Sequence, residues 1–204
     1  GAAGAVAAKH LSPWDSVSLG VIGAGRQAEA LVDATAAALK IEEILVWSQT
    51  EKSAEAFATK YSEYNARAVS IERACDCDVL FTTTPSTKPI VKADWIREGT
   101  HINAIGADAP GKQELDPALL LKSEVFVDDL GQAVHSGEVN VPISTGIYNA
   151  AQIAGTLGEV VIGKIGRSSP EAITIFDSTG LAIQDLAIAA LVVREEDGYE
   201  LPFP

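Results

Sequence analysis

Short apolar runs alternate with longer stretches of helical spacing along most of the chain. Residues 17–22 (Val-Ser-Leu-Gly-Val-Ile) form an apolar run bounded by turn formers and predict a strand, while residues 26–40 carry the apolar positions of a helix. The same alternation predicts strands at 44–47, 68–69, 78–82, 100–105 and 124–127, with an amphipathic helix at 51–64. Strands alternating with helices build β-α-β units. The expected fold is therefore α/β, a Rossmann-type doubly wound, mostly parallel sheet with flanking helices. Residues 2–11 are Ala-rich and read as a helix that ends near Ser12-Pro13. Residues 128–165 read as mainly helical, and 173–176 as one more strand. The most apolar stretch, 181–193, is broken by Gln184 and Asp185 and is shorter than the roughly 18–20 residues of a bilayer span. It reads as a buried helix. Residues 1–194 are expected to form one domain, and 195–204 a polar, Pro-rich tail.

The first strand runs directly into Gly23-Ala24-Gly25-Arg26-Gln27-Ala28, and a helix follows. This strand–GxGxxA–helix context is the one in which a dinucleotide pyrophosphate is held. Gly23 permits the tight turn, Gly25 lets the backbone approach the phosphates, and Ala28 lets helix pack closely on sheet. The helix N-terminus offers free N–H groups to an anion. The alternative is a small-residue turn that holds no ligand. An acid ending the second strand would bind ribose hydroxyls and repel the extra phosphate of NADP. This chain has Trp47-Ser48-Gln49-Thr50 there. Ser48 and Thr50 can bond either group, so NAD and NADP both stay open.

Ligands of such sheets sit beyond the carboxyl ends of the strands. After the fourth strand come Thr82-Thr83-Thr84-Pro85-Ser86, whose hydroxyls and Pro-fixed turn either line an adenosine site or simply cap a loop. After the fifth comes Gly106-Ala107-Asp108-Ala109-Pro110-Gly111-Lys112. Its small residues suit close ligand approach. Asp108 is a candidate general base or ammonium anchor, the alternative being an Asx turn. After the last strand, Asp177-Ser178-Thr179-Gly180 is either a helix cap or a set of hydrogen-bonding groups for a carboxamide.

Bulk composition narrows the partners. With 204 residues, 47% hydrophobic and 21% charged, the chain suits a folded α/β domain. A net charge of -13 repels nucleic acid, and no segment is expected to enter a membrane. Cys75 and Cys77 read as reduced thiols near a strand entry, and His10, His101 and His135 lack metal-ligand spacing, so no metal is expected. No signal peptide is visible, and a cytoplasmic setting is expected. The chain begins at Gly1 and contains no Met, so it reads as a fragment or a processed chain.

Residues 99–115, Thr82-Thr83-Thr84-Pro85, Asp128-Asp129 with Gln132-Ala133, Ser136-Gly137-Glu138 and residues 176–185 together resemble the ornithine cyclodeaminase/mu-crystallin family, over nearly the whole chain. The Gly-Lys-Gln-Glu-Leu and Asp-Ser-Thr-Gly versions are most similar to the family's archaeal alanine dehydrogenase branch. The resemblance implies a homodimeric NAD(P)-dependent enzyme acting on an amino acid or a cyclic imine. Its activities include oxidation of alanine to pyruvate and ammonia and conversion of ornithine to proline; its crystallins bind small ligands without catalysis. It further implies that Asp108 is the catalytic carboxylate, that Gly23, Gly25, Arg26 and Gln27 hold the cofactor, and that Ser178 and Thr179 lie by the nicotinamide. Two departures stand out. Relatives often carry Arg at the place of Gln49 or an acid at that of Ser48. They also have about a hundred residues ahead of the helix matching 1–11, which form the dimerisation and substrate domain.

Overall fold

The computed structural model describes residues 1–195. Its centre is one sheet of eight strands in the order β3-β2-β1-β4-β5-β8-β6-β7, all parallel. The strands are β1 (Ser16–Ile22), β2 (Lys40–Trp47), β3 (Arg67–Ala68), β4 (Val79–Thr82), β5 (His101–Ala104), β6 (Ser123–Val127), β7 (Gly155–Thr156) and β8 (Ile173–Asp177). The helices are α1 (Ala2–Leu11), α2 (Arg26–Ala36), α3 (Glu51–Lys60), α4 (Ile71–Cys75), α5 (Pro117–Leu121), α6 (Leu130–Ser136), α7 (Asn140–Ser144), α8 (Leu157–Val161) and α9 (Ala182–Glu195). The order of strands reverses between β1 and β4, so a crevice opens beyond their carboxyl ends.

Both faces of the sheet are covered, and side chains alternate between them with the two-residue period of a strand. Leu19, Val21, Val79 and Phe81 face a core closed by α2 and α3, including Leu31 and Phe57. Ile22, Leu80, Ile102 and Ile175 face the other core, with Leu119 and Leu120 of α5. A third cluster joins Leu11 of α1 to Phe126, Phe176 and Val160. Side-chain caps start four of the shorter helices: Ser70, Asp116, Asp129 and Thr156 accept first-turn N–H bonds as N-caps.

Four expectations need correction. The helix expected to reach residue 40 stops at Ala36, because Lys40 and Ile41 already pair with Ser16 and Val17 of β1. The mainly helical reading of 128–165 missed β7, a two-residue edge strand too short for a periodic pattern. Asp177 ends β8, and α9 begins only at Ala182, so Asp177-Ser178-Thr179 are not its cap. The apolar stretch 181–193 is helical, yet Ile183, Leu186 and Val193 are exposed at 68%, 68% and 79%. Helical spacing reported the helix correctly, but burial depends on a neighbour, and no element of the described domain packs broadly on α9. The tail predicted at 195–204 lies, beyond Glu195, outside the described residues. Among the described residues no helix is long and apolar enough to cross a membrane.

Candidate functional site

The Gly-rich turn is built by backbone demands. Gly23 lies at φ 102°, a left-handed conformation that favours glycine, and its N–H donates to the Trp47 carbonyl at 2.9 Å. The Thr83 hydroxyl donates to the Gly23 carbonyl at 3.0 Å, tying the end of β4 to the turn. Gly25 is the N-cap of α2 and supplies no side-chain cap, and the first helical bond runs from Glu29 N–H to the Gly25 carbonyl at 3.1 Å. The N–H groups of the first turn are thus left for a ligand. A Cβ on Gly25 would meet no protein atom within 4 Å. It would instead project into a cleft of about 760 Å³ lined by Gly23, Gly25, Ser48, Thr83, Thr84 and Pro85. Trp47, Gln49, Ser53 and Lys88 also line it, and the sequence reading proposed no role there for Trp47, Ser53 or Lys88. This glycine-floored cleft at the reversal point, with an uncapped helix pointing at it, fits a dinucleotide. Of the motif's other residues, one has the packing role expected of it and one lies off the cleft. Ala28 is fully buried and packs α2 onto the sheet, and Arg26 is exposed and lines no part of the cleft.

A second cavity, of about 490 Å³, lies beyond the ends of β5 and β8. It brings together Gln27, Asp108, Ser178 and Thr179 from three separate segments. Asp108 is 55% exposed at its side chain and pairs with Lys112 Nζ at 2.5 Å, across the turn made by Pro110 and Gly111. Asp128 sets the opposite wall: its Oδ2 accepts from Ser178 Oγ at 3.0 Å, Thr179 N–H at 2.9 Å and Gly180 N–H at 2.8 Å.

Behind these walls lie three buried carboxylates that sequence reasoning left without a role of this kind: Glu114, Glu138 and Asp177. Burial pushes all three pKa values up, Asp177 to about 7, because a charge is poorly solvated there. Backbone N–H donors pull each of them back toward the charged form. The only local hint was an acid set between apolar or small neighbours, as in Gly137-Glu138-Val139. His101, whose spacing ruled out a metal-ligand role, is buried with Nδ1 2.9 Å from Thr174 Oγ1, and burial lowers its pKa to about 3. Cys75 and Cys77 are free, buried thiols at the entry to β4. Among the described residues no three His, Cys, Asp or Glu side chains form a metal-sized group.

The fold and the two cavities define a Rossmann-like domain with a nucleotide cleft next to a small polar chamber. The chain belongs to the ornithine cyclodeaminase/mu-crystallin family, whose profile matches residues 1–198. It is 52% identical over 196 residues to alanine dehydrogenase of Archaeoglobus fulgidus, a match covering 94% of this chain and 61% of that protein. It is 36% identical to iminosuccinate reductase of Paracoccus denitrificans, over 95% of this chain and 61% of that protein. Its fold superposes on an archaeal alanine dehydrogenase dimer with bound NAD at a TM-score of 0.94 and 47% identity, covering 98% of this chain and 65% of that one. Thermococcus litoralis Delta(1)-pyrroline-2-carboxylate reductase, solved with NADH and L-proline, superposes at 0.89 and 35% identity, covering 95% and 63%. The chain thus spans 61% of the length of these curated relatives.

Proposed function

We propose that this chain is the cofactor-binding part of an NAD-dependent amino-acid dehydrogenase that oxidatively deaminates L-alanine to pyruvate and ammonia. The observation that carries the reading is the pairing of the glycine-floored cleft with a chamber that holds Asp108 and Ser178-Thr179. The 52% identity to an archaeal alanine dehydrogenase supports the substrate, and the NAD in the solved archaeal relative supports the cofactor. That relative is a dimer, which supports a homodimer for the full-length protein. Two buried free thiols suit a reducing cytoplasm.

NAD, when bound, supplies the hydride acceptor. Gly25 and the first turn of α2 would hold its pyrophosphate, with Thr83, Thr84 and Pro85 as the facing wall of the cleft. Ser178 and Thr179, whose hydroxyls donate to Asp128, would have oxygen lone pairs left to accept from the carboxamide NH2. Asp108 accepts the proton of the substrate ammonium or anchors that ammonium in place of Lys112. Removal of one ammonium proton, by Asp108 or by water, with loss of the α-hydrogen as hydride would give an iminium, which water hydrolyses to the 2-oxo acid and ammonium.

The test uses the full-length chain with L-alanine and NAD, following NADH and pyruvate. Asp108→Asn keeps the shape but removes charge and basicity, so kcat/KM falls about 10²–10⁴-fold while NADH affinity holds. An Asn variant as active as the parent removes Asp108 from the chemistry. Proline formed from ornithine, with no pyruvate from alanine, overturns the substrate assignment in favour of cyclodeamination.

A further inference from the structure

Along the carboxyl rim of the sheet, each of three buried carboxylates grips the backbone of the segment beside it. Glu114 accepts four bonds at once. Its Oε1 takes Thr84 N–H at 2.6 Å and Thr84 Oγ1 at 2.7 Å; its Oε2 takes Thr82 Oγ1 at 2.8 Å and Gly106 N–H at 2.9 Å. One carboxylate therefore staples the loop after β4, a wall of the nucleotide cleft, to the loop after β5 that carries Asp108. Glu138 holds Glu114 by accepting its N–H at 3.0 Å and that of Leu115 at 2.7 Å. Asp177 in turn accepts from Glu138 N–H at 2.9 Å and Val139 N–H at 3.2 Å. Two glycines make room for this line of carboxyl groups. A Cβ on Gly106 would lie 2.5 Å from Glu114 Oε2, and one on Gly137 would lie 2.4 Å from Asp177 Oδ2. The small size of Gly106, first read as access for a ligand, is taken up by Glu114.

We propose that Glu114 is a positioning residue that fixes the nucleotide loop, residues 82–85, against the Asp108 loop, and that Glu138 and Asp177 hold it in register. Glu114 lines neither cavity, so it acts through Thr84 and Gly106 and not on a ligand. This rests on the functional reading above. Misplacing reacting groups by about 1 Å costs on the order of 10²-fold in rate.

Glu114→Gln is isosteric, but either orientation of the amide turns an NH2 toward a backbone N–H, that of Thr84 or of Gly106. In the full-length chain without cofactor, hydrogen exchange at the Thr84 and Gly106 amides is expected to rise at least about 10-fold. With cofactor and amino acid, kcat is expected to fall about 10–100-fold while the amino-acid KM changes less than about 3-fold. Glu138→Gln should show the same pattern more weakly, which keeps the test open if the first variant misfolds. Glu159→Gln, which breaks a capping box whose residues line neither cavity, is the control for general destabilisation. Unchanged exchange at both amides, or a kcat that tracks Tm alone as in the control, overturns the proposal. A parent chain that neither binds NADH nor oxidises an amino acid overturns the functional reading instead, while the exchange data still decide whether Glu114 couples the loops.

Discussion

Gly25 and Gly106 show at single-residue scale how one amino acid serves two ends. A side chain at 25 enters open space, whereas one at 106 strikes the Thr84 carbonyl at 2.2 Å and Glu114. Gly25→Val is therefore expected to keep its melting temperature and lose NADH affinity by at least about 10-fold, equivalent to about 1.4 kcal/mol. Fluorescence titration of a folded variant checks this, and an unchanged Kd would place the pyrophosphate elsewhere. The turn was legible in the sequence because its requirements are local: a left-handed φ at Gly23 and a bare backbone at 25 are written in consecutive residues. Glu114, Glu138 and Asp128 were not legible as anchors. Apart from Gly106, 8 residues from Glu114, the donors to these carboxylates lie 30–32 residues away for Glu114, 23–24 for Glu138 and 50–52 for the Oδ2 of Asp128, and nothing in a local window tells a solvated acid from one wrapped in N–H donors.

At the scale of elements, the long strands and the helices α1–α3 follow from periodicity, although none of these three helices has a side-chain N-cap to mark its start. The misjudged cases were those decided by neighbours: β7, which exists only by pairing with Phe126 and Val127, and α9, whose exposure depends on what packs beside it. Arg167 is a further tertiary feature with no local signature. From the loop between α8 and β8 its guanidinium donates to the Leu11 carbonyl at 2.6 Å, the Gly99 carbonyl at 3.1 Å, Thr174 Oγ1 at 3.1 Å and the Ala172 carbonyl. It thus pins the end of α1 to the entries of β5 and β8, at the edge opposite the cavities. Partial burial pulls its pKa down, a sign that its charge depends on these acceptors. Arg167→Met keeps the length of the stem and strands the carbonyls, so we expect a loss of about 2–4 kcal/mol. Tm should then fall by about 5–15 °C with NADH affinity unchanged in the folded protein. A shift of Tm below a degree or two would show that water replaces the guanidinium at no cost.

Across the whole molecule, buried ionisable groups set opposing pH slopes. Asp177 has a folded pKa near 7, above its unfolded value near 4, so its contribution is complete below pH 4 and is lost as pH rises through about 7. His101 has a folded pKa near 3, below its unfolded value near 6.5, so its contribution is present above pH 6.5 and is lost as pH falls toward 3. The two slopes largely cancel between pH 4 and 6.5. Asp177→Asn removes one of them, so unfolding free energy should climb with pH in that window more steeply than in the parent, by at most about 1.4 kcal/mol per pH unit. Urea melts of both proteins across the window check this, and parallel slopes would mean that Asp177 stays charged. The strand that carries Asp177 also governs how the chain becomes a protein. β8 sits between β5 and β6, although β6 and β7 both precede it in the chain. A ribosome must deliver residues 173–177 before β6 and β7 can join the strands already made. Until then the nascent chain carries two unfinished sheets with bare facing edges, each able to pair with a neighbouring chain. Synthesis therefore passes through a window of exposure to aggregation, closed by a single five-residue insertion.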